Sequence, residues 1–290
     1  MKKIIILIPV YNDWESLDKL LIEINKNIEF FNDINFECLI VNDASSINPP
    51  ELYKPTNFKL VELLNMRDNK GHARCNAFGI RYIFHNKEFD KLILMDGDGE
   101  DRPEEIVLLV EKITENPNTS VVAKRIKRSE GPFFQILYQL HKLLTIISTG
   151  KVINFGNYSC LIKDDIKKLS TQESLWSSFS GSVKKHIFLF NTIDSIRGKR
   201  YFGPSKMSIY RLIIHSLSII AVFKINVFIR STILIFLSYY FFTLIKVNVA
   251  LLMILIILFN ILIYLVSLRE NKKELLSSEL NIEKSKVFTH

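Results

Sequence analysis

An α/β domain with a mostly parallel sheet, followed by a helical hairpin of membrane-spanning length, is the fold class that the sequence predicts. Three observations predict it. Short apolar runs recur through the first 125 residues with helix-period segments between most of them. One run ends abruptly in four carboxylates, Asp96, Asp98, Glu100 and Asp101, within six positions. After residue 230, charge vanishes from two long stretches. Strands and amphipathic helices in alternation imply parallel strands covered on both faces.

The strand-like runs are residues 4–8, 36–41, 59–64, 91–95 and 120–123. The first follows Met1, Lys2 and Lys3 and begins like a signal peptide, but it is too short and Pro9, Asn12, Asp13 and Glu15 end it. A first buried strand is expected instead. Residues 14–31 place Leu17, Leu20, Leu21 and Ile24 at spacings of three and four, the period of a helix with one apolar face. Residues 92–95 read as a buried parallel strand, and Pro103 suits the first turn of the helix behind it. The acids therefore fall on a loop at a strand's carboxyl end, where open α/β sheets collect ligands. Crowded carboxylates repel unless a cation holds them, and hard oxygen ligands favour Mg2+ or Mn2+ over zinc. On the acids alone an exposed turn is the alternative, because Asp-Gly is common turn chemistry.

At 290 residues, 48% hydrophobic and 23% charged, the chain suits one large domain with an appendage and is not disordered. Cys38, Cys75 and Cys160 lie far apart, so neither a zinc site nor a disulfide framework is indicated, and a reducing compartment fits. No charge occurs at residues 231–245 or 247–268. The second stretch crosses a hydrocarbon core of roughly 30 Å at about 1.5 Å per residue. The first crosses if Arg230 and Lys246 snorkel or if its helix starts near Asn226. A hairpin over residues 226–268 is expected. Lys224 and Arg230 flank one outer end, and Arg269, Lys272 and Lys273 the other. The positive-inside rule then puts both termini and the domain over residues 1–206 in the cytoplasm, on a multi-pass membrane protein.

Residues 207–225, interrupted by Arg211 and His215, suit a helix lying in the headgroup plane. Residues 131–150 suit either such a helix or a core helix, and residues 269–290 read as a cytoplasmic tail. The net charge of +8 is spread through loops and membrane flanks, not through an aromatic-interleaved patch. A lipid bilayer and phosphorylated ligands are the expected partners, and nucleic acid is not.

The loops after the strands carry the chemistry. Residues 8–13 read Ile-Pro-Val-Tyr-Asn-Asp, residues 41–45 Val-Asn-Asp-Ala-Ser, and residues 69–80 Asn-Lys-Gly-His-Ala-Arg-Cys-Asn-Ala-Phe-Gly-Ile; the acidic loop follows. This order resembles the inverting glycosyltransferases of family 2 across about the first 200 residues, and implies their GT-A fold. The resemblance narrows to the polyisoprenyl-phosphate group, which includes the dolichol-phosphate mannosyltransferases and bactoprenol glucosyltransferases. Their acidic loop commonly runs Asp-x-Asp-x-Gln-Asp-x-Pro-Glu, matched here at Asp96, Asp98, Asp101, Pro103 and Glu104, with Glu100 in place of Gln. Residues 122–125, Val-Ala-Lys-Arg, resemble that group's arginine-bearing strand end. Residues 197–206 resemble its Arg-x-x-Arg-x-x-Gly-x-Ser-Lys signature.

The resemblance implies that Pro9, Tyr11 and Asp43 frame the nucleotide of a UDP- or GDP-linked sugar, with Asn69, Gly71 and Arg74 beside them. Asp96, Asp98 and Glu100 would hold Mg2+ or Mn2+, with Asp96, Asp98 and Arg125 serving catalysis. Arg197, Arg200, Ser205 and Lys206 would hold the phosphate of a polyprenyl phosphate, and hairpin-anchored members often form homo-oligomers. Physical chemistry supports the last site independently. Four of the five residues Arg197, Lys199, Arg200, Ser205 and Lys206 are cationic and immediately precede apolar sequence, where a lipid phosphate would present itself.

Asn157 stands where many relatives carry Asp, and it cannot be a general base. A lipid monophosphate, with a second pKa of about 6, is already largely dianionic and needs positioning more than deprotonation. A glycan hydroxyl would need a base, with Asp98, Glu100 and Asp101 as candidates. Both acceptors stay open, and a non-catalytic membrane adaptor is the reading of another class. A processive polysaccharide synthase is disfavoured because neither Trp14 nor Trp176 ends a Gln-x-x-Arg-Trp motif.

Overall fold

The computed structural model describes residues 2–52, 55–127, 132–204, 208–246 and 248–288. Four parallel strands form the centre of its sheet: β1 (Lys2–Val10), β2 (Ile34–Asn42), β3 (Phe58–Met66) and β4 (Lys91–Leu94), side by side as β4-β1-β2-β3. The run at 4–8 is buried throughout because successive side chains leave opposite faces into two separate cores. Ile4, Ile6 and Ile8 pack with Leu17, Leu20 and Leu21 of α1 (Trp14–Ile28) and Ile106 and Leu109 of α3 (Glu105–Glu115). Ile5 and Leu7 pack with Phe78 and Ile80 of α2 (His72–Asn86) on the other face. A strand buried on both faces has no polar alternation to show.

Each expected strand overlaps an observed one, the fifth being β5 (Val121–Lys127). Three more complete the sheet. β6 (Phe155–Ile162) lies antiparallel between β4 and β5, and β7 (Asn191–Ile196) lies parallel to β5 at the edge. At the opposite edge β8 (Ile282–Phe288) pairs antiparallel with β3. The described order is β7-β5-β6-β4-β1-β2-β3-β8. β8 corrects the expectation of a plain tail at 269–290. After the hairpin the chain forms α10 (Lys272–Leu276), buries Leu275 in the α2-side core and returns to the sheet. Its solvated pattern, Ile-Glu-Lys-Ser-Lys-Val-Phe, is that of an edge strand and shows no apolar run.

The remaining helices are α4 (Pro132–Thr149), α5 (Lys163–Leu169), α6 (Phe179–His186), α7 (Ile209–Ala221), α8 (Lys224–Ile245) and α9 (Ala250–Ser267). Segments within α8 and from the start of α9 are long and apolar enough to cross a membrane. α8 starts two residues before Asn226, so its 22 residues include Arg230. Lys246, with φ of 54°, turns the chain towards α9. Lys224 Nζ pairs with Glu270 at 2.8 Å, holding the two outer ends together. Lys185 donates to the Val222 carbonyl at 3.0 Å and Arg230 to the Ile147 carbonyl at 3.2 Å, fixing the hairpin's base to α6 and α4. α4 is not a core helix: Ile136, Leu140, Leu143 and Ile147 all stand more than half exposed.

Leu275→Ala should cost about 2–5 kcal/mol, the usual range for a fully buried Leu. A lower melting temperature of the full chain in detergent, with the sheet otherwise intact, checks that the segment after the hairpin belongs to the core.

Candidate active site

Asp43, the acidic loop and the basic residues after β7 converge at the carboxyl ends of β1, β2 and β4. Met95 still donates to Leu7 at 3.2 Å, and the chain then leaves the sheet. Asp101 turns back under the loop: its Oδ2 accepts from the Asp96 N–H at 3.0 Å, and Arg125 lies 3.7 Å from Oδ1. It is 4% exposed, so it braces the turn from inside. Asp98 Oδ1 accepts from the Glu100 N–H at 3.0 Å, and Gly99 between them adopts φ of +84°.

The loop after β7 lies directly on these acids. Gly198 N–H donates to the Glu100 carbonyl at 2.8 Å, and Tyr201 N–H to the Asp98 carbonyl at 3.0 Å. Two glycines permit this approach. A Cβ on Gly99 would stand 2.5 Å from the Tyr201 ring, and one on Gly198 would stand 2.8 Å from the Gly99 carbonyl. Docking brings Arg200 Nη1 to 2.8 Å from Asp98 Oδ2, its Nη2 onto Asp13, and Arg197 onto Glu100. Arg197 and Arg200, expected at an acceptor phosphate, are thus ion-paired with the carboxylates expected at the cation. Ser205 and Lys206 lie outside the described residues.

At the end of β2, Asp43 turns its carboxylate onto a loop. Oδ1 accepts from Lys70 N–H at 2.8 Å and Oδ2 from Gly71 N–H at 2.9 Å, while Asn69 Nδ2 donates to the Asp43 carbonyl at 2.9 Å. Asn12 and Ala44 hold φ of 51° and 55° beside it, conformations that side chains other than Gly seldom adopt and that cluster at ligand sites. Pro9, next to last in β1, is in register with Val41, and the acidic loop passes so close that a Cβ on Gly97 would stand 3.0 Å from the Pro9 carbonyl. Tyr11 follows, partly buried. Arg74 turns onto Trp176, its guanidinium 5.7 Å from the ring centroid.

Two neighbours of Asp96 are additions to the expected set. His72 Nε2 lies 3.2 Å from Asp96 Oδ1, and Asn157 Nδ2 lies 2.7 Å from His72 Nε2 and 3.0 Å from Asp96 Oδ1. His72 directly follows Gly71, itself an expected site residue, which was the available signal. What the sequence does not show is that β6 carries Asn157 to the same carboxylate.

Burial acts to raise Asp96, Asp98 and Asp101 alike, and their neighbours set them apart. Asp96 falls below the usual carboxylate range because the charge and hydrogen bond of His72, the Asn157 amide and Arg125 outweigh its desolvation. Burial and the Asp96 charge push Asp101 up to about 7, and the same two causes raise Asp98 against the pull of Arg200 and Arg197. His72 is raised, the attraction of Asp96 exceeding the burial that opposes it.

Among the described residues, no three His, Cys, Asp or Glu side chains form a metal shell. The donor set still fits a hard divalent cation. Asp98 and Glu100 face guanidinium groups, so positive charge is already required at their position. Mg2+ and Mn2+ commonly take one or two carboxylates and complete their shell with substrate phosphates and water.

A GT-A-type α/β domain, with its acidic loop at the strand ends, is the class that fold and site define. The chain belongs to glycosyl transferase family 2, whose profile matches residues 5–179. It is 27% identical over 224 residues to an undecaprenyl-phosphate 4-deoxy-4-formamido-L-arabinose transferase of Serratia proteamaculans, covering 73% of this chain. The like-named protein of Photorhabdus laumondii is 28% identical over 225 residues. The chain spans 65% of the length of these curated relatives. Glucosyl-3-phosphoglycerate synthase from Mycobacterium tuberculosis, solved with Mn2+, UDP and glucosyl-3-phosphoglycerate, superposes with a TM-score of 0.51 at 12% identity, covering 78% of this chain and 80% of that one. A mannosyltransferase from Pyrobaculum calidifontis, solved with GDP-Man and Mn2+, gives 0.50 at 12% identity over 77% and 63%. These two likenesses establish the fold.

A divalent cation at this loop would compete with protons. As pH rises through about 7, Asp101 loses its proton, and His72 loses its charge above its own raised pKa. Both changes make the loop more negative, so Mn2+ affinity by calorimetry should rise severalfold between about pH 6 and about pH 8. Gly198→Ala, which forces the two loops apart, should destabilise the protein by about 1–3 kcal/mol in chemical unfolding.

Proposed function

We propose that this protein transfers a hexose-type sugar from a nucleoside diphosphate to polyprenyl phosphate at the cytoplasmic face of a membrane. The observation that carries the reading is the docking of the Arg197–Arg200 segment on the Asp98–Glu100 loop, just ahead of the helices that suit a bilayer. A cation-and-diphosphate site and a lipid-phosphate site then share one boundary. The relatives' names, which specify undecaprenyl phosphate, support the acceptor class.

Bound at Asp98 and Glu100, Mg2+ or Mn2+ would neutralise the charge that develops on the departing nucleoside diphosphate. It would also supply the positive charge that Arg197 and Arg200 now give these carboxylates. The two guanidinium groups are then available to hold the acceptor phosphate, with Ser205 and Lys206 next in sequence. A dianionic phosphate oxygen attacks the anomeric carbon from the side opposite the leaving diphosphate, the sugar–diphosphate bond breaks, and the configuration inverts. Arg125, beside Asp101, adds positive charge. Asp43 acts by shaping loop 69–71 around the nucleotide. Both ends of the hairpin join the same domain, which agrees with a two-span topology and cytoplasmic termini.

Asn157 favours a second reading, in which the acceptor is a glycan or lipid-linked oligosaccharide hydroxyl. That chemistry needs a base at the site, and His72, 2.7 Å from Asn157, joins the acids as a candidate.

Incubation with labelled UDP- and GDP-sugars and polyprenyl phosphate should give a chloroform-extractable product that Asp98→Ala abolishes. Arg200→Ala removes charge-assisted bonds worth about 1.5–3 kcal/mol. It should raise the KM for polyprenyl phosphate at least about tenfold while leaving donor KM nearly constant. Absence of any organic-soluble product with every donor sinks the proposal.

A further inference from the structure

The loop at 67–71, which carries Asn69 and Gly71 into the donor site, is held at both ends and hollow behind. At its inner end Asp43 takes the Lys70 and Gly71 N–H groups. At its outer end all three bonds run to one residue, Asn281, which lies 213 positions beyond Asp68. Arg67 N–H donates to the Asn281 carbonyl at 2.8 Å, Asp68 N–H donates to Asn281 Oδ1 at 3.1 Å, and Asn281 Nδ2 donates to the Asp68 carbonyl at 3.0 Å. Between the loop and the chain that follows the hairpin lies a cavity of about 280 Å3, bounded by Arg67, Asp68 and Lys70 on one side and Ser277, Ser278 and Asn281 on the other. Packed side chains therefore do not fix the loop there. Its conformation depends on the hydrogen bonds.

We propose that Asn281 is a positioning residue for the nucleotide: the segment beyond the hairpin is a working part of the donor site, and Asn281 sets the shape of the loop that receives the donor. The inference rests on the nucleotide-sugar reading above and adds to it a residue outside the family-matched region, which ends at 179. Asn281 is suited to the task because its side chain satisfies both the N–H and the C=O of Asp68 at once, as a paired strand would. β8 anchors it from one side through the β3 ladder. The buried Leu275 and the Glu274 carboxylate, which accepts from Trp176 Nε1 at 3.1 Å, anchor it from the other. A loop fixed before binding spares the ordering cost that a mobile loop would charge against affinity.

The test uses the full chain in detergent with Mn2+, reading UDP and GDP binding by calorimetry and donor KM, acceptor KM and kcat by product extraction. Asn281→Ala should weaken nucleotide binding and raise donor KM about tenfold, with acceptor KM and kcat within about twofold. Asn281→Asp, which keeps the acceptor for Asp68 N–H and loses the donor, should fall between. Ile113→Ala in α3, buried on the other face of the sheet and touching neither the loop nor its anchors, should lower the melting temperature with nucleotide affinity unchanged. The proposal is overturned if the wild type binds nucleotide and Asn281→Ala binds it within about twofold, or if Ile113→Ala weakens binding as much as Asn281→Ala does. If the wild type binds neither nucleotide, the nucleotide-sugar reading falls first and this inference with it.

Discussion

Negative charge crowded at the end of one buried strand is the constraint on which the rest of the site depends. Asp96, Asp98, Glu100 and Asp101 leave β4 within six positions, and their mutual repulsion must be met locally. The chain meets it in two ways. Asp101 is buried, raised and bonded to the backbone of its own loop, with Arg125 close by. Asp98 and Glu100 face outward and receive Arg200 and Arg197 from a segment about a hundred residues later. Residues Gly99 and Gly198 make this second solution possible, since a side chain at either position collides with the opposite loop.

That pairing also decides where the helices beyond it begin. The segment that docks on the acids continues, five residues after Gly203, into the N-cap Ser208 of α7, so the acidic loop and the start of the apolar helices are held within a short tether. The Lys224–Glu270 pair and the Lys185–Val222 bond then hold the hairpin's base to the domain. Glu270 is almost fully buried at this junction, and breaking the pair from the lysine side would leave an uncompensated charge.

How far the sequence foretold this follows from which residues carry local signals. The central strands announce themselves because each is buried on both faces, and the acidic loop because four carboxylates follow one strand. The two apolar helices are legible because residues 231–245 and 247–268 carry no charge on any side. β6 and β7 are not, since Gly156, Asn157 and Asp194 interrupt their apolar content, and β8 is an edge strand with a solvated pattern. Within the site, Asp43 and Asp98 could be named from the loops that bear them. The pairing of Arg197 with Glu100, and of Arg200 with Asp98 and Asp13, could not. A sequence shows that opposite charges exist, but only the fold says whether they meet each other or a ligand.

The return of the chain to β3 changes how the two halves relate. A hairpin attached only at residue 224 would be an anchor, free to move without consequence for the domain. Here the chain leaves the domain at α8 and re-enters it at α10, so the apolar helices form a closed insertion whose two ends are both fixed in the α/β fold. Displacement of α9 relative to the sheet must be absorbed by the few residues between Ser267 and Lys272, because Leu275 beyond them is buried in the core. Asn281 lies six residues past that buried leucine and holds the loop at 67–71, so a short stretch of chain connects the bilayer-length helices to that loop. On the proposed function, with one substrate from water and one from lipid, that connection would tie the shape of the water-facing site to the seating of the helices.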